Sequence, residues 1–267
     1  MIRGSLHVHS TYCDGKSTLE ENVKAAIEKG FTYIGFSGHG HTAFDSSYCM
    51  SAENEAKYFS EVNSLREKYK NDIRILCGIE RDLLSDYFVH SFDYEIASVH
   101  YVKAGDKCYN VDASLQEQKQ CIDMCFGGDP YAYAEEYYKA VAKLQGDIIG
   151  HFDLLTKFDR NNNVFNPNEE RYKKAALSAL EVLIEKDSVF EVNTGAMSRG
   201  YKDAPYPDTW ILAQIKKRGA KIVLTSDCHD AKNLDYGYDV AEKLLTDLGF
   251  KDFYNIDFLT KQAKKEQ

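Results

Sequence analysis

The sequence predicts a one-domain α/β protein, built either as a parallel barrel or as an open doubly wound sheet. Three observations carry this. Short β-rich runs alternate with helix-punctuated segments along the chain. Several of the runs are continuously apolar, as strands buried on both faces are. No Gly-, Ser- or Pro-rich linker and no fixed-period repeat interrupts the alternation, so residues 1–267 read as one unit.

The first strand spans Ser5–His9. Ser17-Thr18-Leu19-Glu20 then forms a capping box, in which Ser17 and Glu20 each satisfy a backbone donor of the first helical turn, and Gly30 closes that helix. Strands follow at Tyr33–Ser37, Arg74–Gly78, Tyr94–Val99 and Asp147–Gly150. Before the last of these, Asp129 caps a helix with Pro130 at its first position that runs to Gly146. Asn166-Pro167-Asn168-Glu169 opens another helix, with Glu169 at its third position, ahead of a strand at Val189–Asn193. Pro207 opens a helix that ends near Gly219, and the last strand is Ile222–Ser226. All four prolines, at Pro130, Pro167, Pro205 and Pro207, lie outside the strands.

Charge and composition narrow the function classes. Lys and Arg total 33 against 42 Asp and Glu, a formal net charge of −9. That balance argues against nucleic-acid binding, which runs on clustered cations. No run approaches the ~18 apolar residues that span a bilayer. Met1-Ile2-Arg3-Gly4-Ser5 leads directly into a polar His-rich segment and reads as no signal peptide. Seven cysteines, without a Cys-x-x-Cys, suggest mostly buried thiols in a reducing cytoplasm. Oligomeric state is not legible.

The histidines matter by position. His7 and His9 form an i, i+2 pair at the end of the first strand, so both rings point to one face. His39 follows the second strand, Glu80 the third, His100 the fourth and His151 the fifth; Asn193 ends the sixth, and Asp227 and His229 end the seventh. In a parallel barrel, all strand C-termini open onto the face that holds the site. Imidazoles and carboxylates without cysteine suit Zn²⁺, Mn²⁺ or Fe²⁺ in a catalytic, water-bearing centre. The ligands exceed what one ion can use, Glu80 can bridge two, and hydrolysis is the reaction class that follows.

Leu6-His7-Val8-His9-Ser10, Gly38-His39, Gly78-Ile79-Glu80, Ser98-Val99-His100, Gly150-His151-Phe152-Asp153, Glu191-Val192-Asn193 and Ser226-Asp227-Cys228-His229 resemble the motif series of the PHP (polymerase and histidinol phosphatase) superfamily. The length and the run from Glu191-Val192-Asn193-Thr194 to Arg199 most resemble its histidinol-phosphatase branch. The resemblance covers residues 5 to about 250 and implies a distorted (β/α)7 TIM-like barrel with three divalent ions, Zn, Mn or Fe. It implies that His7, His9, Glu80 and Asp227 hold the first ion, with Glu80 bridging to a second held by His100 and His151. His39 and His229 would hold the third, with Asp14 from Thr11-Tyr12-Cys13-Asp14-Gly15 where many relatives carry histidine. The implied activity is hydrolysis of L-histidinol phosphate to L-histidinol and phosphate, in histidine biosynthesis. A hydroxide between the first two ions attacks phosphorus, the catalytic set being Asp227, Glu80 and Asp14, with Asp14 or a metal-bound water protonating the leaving group. Arg160 and Arg199 are the candidate phosphate-orienting residues, through bidentate hydrogen bonds.

Other signals are weaker. Gly15-Lys16-Ser17 resembles the end of a P-loop, but position 10 is Ser, so the motif fails and Lys16 reads as a loop or helix-start residue. His41 and His90 stand outside the cluster, Asp153 could orient a ligand, and Asn161-Asn162-Asn163 reads as a loop. The 19 Tyr and 14 Phe read mainly as core positions. Two alternatives stand beside the leading function: the same chemistry on another small ester, such as a nucleotide or sugar phosphate, and a metal-storage or metal-sensing protein.

Overall fold

The computed structural model describes residues 3–86 and 91–262, so His90 lies outside the described residues. Seven parallel strands form one sheet in the order β1 (Gly4–Ser5), β2 (Tyr33–Phe36), β3 (Arg74–Asp82), β4 (Tyr94–Ser98), β7 (Ile148–Ile149), β8 (Val189–Asn193) and β9 (Lys221–Thr225). Its first and last strands meet beyond their ends through a parallel bridge between Val8 and Cys228. There His9 N donates to Cys228 O at 2.8 Å and Cys228 N to His7 O at 3.2 Å. This seam makes the sheet a nearly closed barrel rather than an open sheet.

Alternation along each strand sorts side chains between the barrel interior and the surrounding helices. The lower interior is apolar, with Leu6, Tyr33, Leu76, Tyr94, Ile96, Ile148, Val189 and Val223 in one cluster closed by Ile256 and Leu259. The intervening residues, such as Ile34, Phe36, Ile75, Cys77, Phe190, Val192 and Leu224, pack into the larger outer cluster. Helices α1 (Leu19–Glu28), α2 (Ala52–Lys68), α4 (Pro130–Val141), α5 (Glu170–Glu185), α6 (Gly195–Ser198), α7 (Thr209–Lys217) and α8 (Tyr238–Asp247) supply buried residues to it.

Tyr94 crosses the interior beneath the site. Its hydroxyl reaches the carbonyls of Leu6 and Phe36, the latter at 3.0 Å. A Cβ at Gly78 would overlap the Tyr94 ring. Gly78→Ala should therefore destabilise the fold by about 1–3 kcal/mol, read as a lower urea midpoint at unchanged slope. A wild-type midpoint would show that the ring has room to move.

Four local expectations shift. The capping box lies one residue later: Thr18 Oγ1 accepts from Glu21 N at 3.2 Å, and Thr18 N donates to Glu21 Oε2 at 2.7 Å. Ser17 is recruited elsewhere, accepting from Ala231 N. Asp129 caps α4 as expected, but the helix stops at Val141, short of Gly146. Glu169 is the N-cap residue of α5, not its third position. Pro207 follows a cis peptide bond, and α7 begins at Thr209.

A hairpin of β5 (Tyr101–Ala104) and β6 (Lys107–Asn110), followed by α3 (Leu115–Cys125), intervenes between β4 and α4. It was not anticipated, although Gly105, at a φ of 63°, sits in its two-residue turn as such turns favour. All seven cysteines are free, but only Cys77, Cys121 and Cys228 are buried, fewer than expected. No helix among the described residues is long and apolar enough to cross a membrane.

Candidate metal centre

Above the apolar plug the interior turns polar. Ser5, His7 and His9 continue the β1 row, Glu80 the Leu76–Gly78 row of β3, and His100 the Ile96–Ser98 row of β4. Asp227 continues the Val223–Thr225 row of β9 and His151 lies just past β7. His39 is held level with Glu80 by a parallel bridge. Asp227 adopts a φ of 46°, a left-handed conformation that turns the chain so that His229 also faces the site.

Glu80 is the hub. Its Oε2 lies 3.0 Å from His7 Nε2, 3.0 Å from His39 Nδ1 and 3.5 Å from His9 Nε2. Its Oε1 lies 3.0 Å from His151 Nε2 and 3.4 Å from His100 Nε2, and accepts from Ser98 Oγ at 2.7 Å. Asp227 Oδ1 stands 3.2 Å from His9 Nε2 and 3.4 Å from His229 Nδ1. Asp14 Oδ2 lies 3.1 Å from His229 Nε2, while its Oδ1 is 3.6 Å from His9 Nδ1 and 3.8 Å from His39 Nε2. Loop 10–17 places Asp14 there because Lys16 N donates to His229 O and Tyr12 OH donates to Glu61. All nine residues named as ligands converge on one end of the barrel.

The charges follow from this packing. Burial opposes ionisation of Glu80, yet His7, His39 and His100 hold it well below the usual carboxylate range. Asp227 is likewise held low against burial by Arg199 and His7. Burial would lower His100, but Glu80 and Asp82 raise it to about 9. Burial, with His229 and His39 alongside, pushes His9 down to about 3. Asp14 is held below the usual carboxylate range against burial by His39 and His229.

The residues fit a metal. Three groups can each direct three or more ligand atoms at one point: His9, Asp14, His39 and His229; His7, His9 and Glu80; and His39, Glu80 and His100. His9 Nε2, 3.2 Å from Asp227 Oδ1 and 3.5 Å from Glu80 Oε2, is buried without a hydrogen-bond partner. A neutral imidazole nitrogen orphaned between two carboxylates is a lone pair prepared for a cation.

A cavity of about 270 Å³ opens over these groups, and Arg199 and Lys157 line it. Arg199 donates to Asp227 Oδ2 at 3.1 Å and lies 3.0 Å from His229 Nδ1. Arg160 is not brought to this cavity. It is exposed, paired with Asp203, and lines a separate cavity with Lys202 and Trp210. The chain turns through Leu154–Thr156 immediately after His151, so the cation delivered to the mouth is Lys157. Its Nζ donates to Asp112 O and Asp112 Oδ2, both at 2.9 Å.

Glu191 was overlooked as an individual residue, although its motif was recognised. It is wholly buried, and its contact with His7 holds it below the usual carboxylate range against burial. Asp153 is buried and raised to about 7 by burial and the nearby Asp208; it accepts from Asp208 N at 2.9 Å and contacts no proposed ligand side chain. His41 pairs with Asp86 away from the centre.

A sequence model of the PHP domain matches residues 5–195. The histidinol-phosphatase of Bacillus subtilis is 25% identical over 262 residues, spanning 87% of this chain and 96% of its own. A candidate histidinol phosphatase of Listeria monocytogenes superposes with a TM-score of 0.76 at 20% identity, covering 89% of this chain and 99% of that one. The histidinol phosphate phosphatase of Lactococcus lactis, solved with zinc, L-histidinol and phosphate, superposes with a TM-score of 0.67 at 21% identity, covering 93% and 94%. With the match extending over residues 5–195, more than half of the chain, this chain belongs to the PHP domain family.

Proposed function

We propose that the protein is a metal-dependent phosphatase that hydrolyses L-histidinol phosphate to L-histidinol and phosphate. The observation that carries the reading is a single mouth in which Glu80, ringed by five imidazoles, lies beneath two cations, Arg199 and Lys157. Three ions account for the surplus of ligands: His7, His9, Glu80 and Asp227 for the first, Glu80, His100 and His151 for the second, and Asp14, His39 and His229 for the third. When bound, divalent ions supply Lewis-acid neutralisation of phosphoryl charge and lower the pKa of water.

The chain's own residues do the rest. Arg199 and Lys157 orient the phosphate and offset charge on its oxygens. Asp112 is held ionised against burial by Lys157 and His100, so the same mouth also carries a fixed negative charge. An ester that joins a phosphate to an ammonium group, as histidinol phosphate does, matches both signs. The names of the curated relatives and the ligands of the Lactococcus structure support this substrate over a nucleotide or sugar phosphate.

The test is phosphate release from L-histidinol phosphate and a panel of other monoesters after loading with Zn²⁺, Mn²⁺ or Fe²⁺. A preference of about 100-fold in kcat/KM, ~2.7 kcal/mol, is expected for histidinol phosphate. Equal rates across the panel would remove the substrate assignment, and metal binding without hydrolysis of any ester would favour storage or sensing.

A further inference from the structure

Glu191 is a buried carboxylate of the barrel interior that the proposed chemistry leaves without a task. It belongs to the inward row of β8 between Val189 and Asn193 and has no exposed surface. Oε1 accepts from His7 Nδ1 at 2.5 Å and from Thr225 Oγ1 at 2.6 Å. Oε2 accepts from His151 N at 2.7 Å and from Asn193 Nδ2 at 3.0 Å. Four donors therefore meet two oxygens, which an ionised carboxylate alone can satisfy.

The geometry points to Glu191 as the positioning residue that fixes the proton of His7 on Nδ1 and thereby keeps its Nε2 lone pair aimed at the Glu80 hub. Imidazole has two ring nitrogens, and the partner of one decides the role of the other. His7 Nδ1 faces only an acceptor, and its Nε2 faces Glu80 Oε2 at 3.0 Å. Because Oε2 also accepts from the backbone of His151, one carboxylate sets the ring of one ligand and the chain position of another.

The substitution Glu191→Gln makes a directional prediction. The amide oxygen must take the side of His151 N, since a backbone N–H cannot turn into an acceptor. Its NH₂ then faces His7 Nδ1 and Thr225, whose hydroxyl can rotate to accept. His7 Nδ1 must become an acceptor, and the proton moves to Nε2, where it blocks the lone pair. The inference rests on the metal-centre reading, so zinc binding by the wild-type protein is measured first.

Zinc affinity by chelator competition and ¹H–¹⁵N spectra of the zinc-loaded, ¹⁵N-histidine-labelled full chain test it, with the His7 signal assigned by its loss in His7→Gln. In the wild type the expected signal is a slowly exchanging, far-downfield proton on His7 Nδ1. In Glu191→Gln the proton is expected on Nε2, leaving His7 off the zinc, with zinc affinity weaker by about 10- to 100-fold. A wild-type His7 protonated on Nε2 would overturn the inference whether or not the variant folds, as would a folded variant with the wild-type tautomer and affinity. Wild-type protein that binds no zinc would overturn the metal-centre reading itself, and the inference with it.

Discussion

Glu80→Gln is expected to give a folded protein that retains little divalent metal and loses about 10³-fold or more in kcat/KM. The substitution keeps the shape of the side chain but removes the charge that faces His7, His9, His39, His100 and His151. An amide offers one acceptor oxygen where the carboxylate offers two, and its NH₂ would face imidazole nitrogens on one side of the hub. Each ~1.4 kcal/mol of lost transition-state stabilisation is a factor of ten, and a centre that neutralises charge on a phosphoryl group supplies several such factors. Elemental analysis of the purified variant, with kinetics on the loaded enzyme, decides the point. Metal content and turnover at wild-type levels would show that Glu80 is not the hub.

Arg199→Ala should raise KM by about 10- to 100-fold while metal content stays within error of the wild type, the cost of one or two charge-assisted hydrogen bonds to phosphate. Arg160→Ala is the informative control. Arg160 is exposed and pairs with Asp203 outside the mouth, so its KM should stay within about twofold of the wild type, since exposed pairs contribute little. Initial-rate kinetics on both variants separate the two arginines. A normal KM for Arg199→Ala, or a steep rise for Arg160→Ala, would reverse this assignment of the phosphate cation.

The strands and their polar endings were legible because parallel strands buried on both faces leave continuous apolar runs, and because histidine is conspicuous where such runs stop. The PHP resemblance rested on those same endings. Closure of the barrel was not legible in the residues themselves: it depends on Val8 meeting Cys228, and two ordinary apolar positions do not announce a pairing across the chain. The capping box moved by one residue because Ser17, an equally good cap, is claimed by Ala231 N from the far end of the sequence. Arg160 and Lys157 stand three positions apart, and only the tight turn after His151 decides which one reaches the mouth. Glu191 did not stand out because its partners His7, His151 and Thr225 are all distant from it in sequence.

The seam between the first and last strands has a consequence for how the chain reaches this structure. Ser5 and Ser226, paired there at 3.0 Å, are 221 positions apart, so closure carries the largest loop-entropy cost and the least local guidance of any strand pairing in the barrel. His7 and His9 lie on one lip of the seam, and Asp227 and His229 on the other. A cation shared between them would act as a clasp on this joint, coupling the two ends of the barrel more tightly than the hydrogen bonds of two short strands can. Amide hydrogen exchange would follow this as fast opening of residues 5–9 and 226–229 that slows when divalent metal is added, while the β3–β4 pairing at the opposite side of the barrel exchanges at the same slow rate in both conditions.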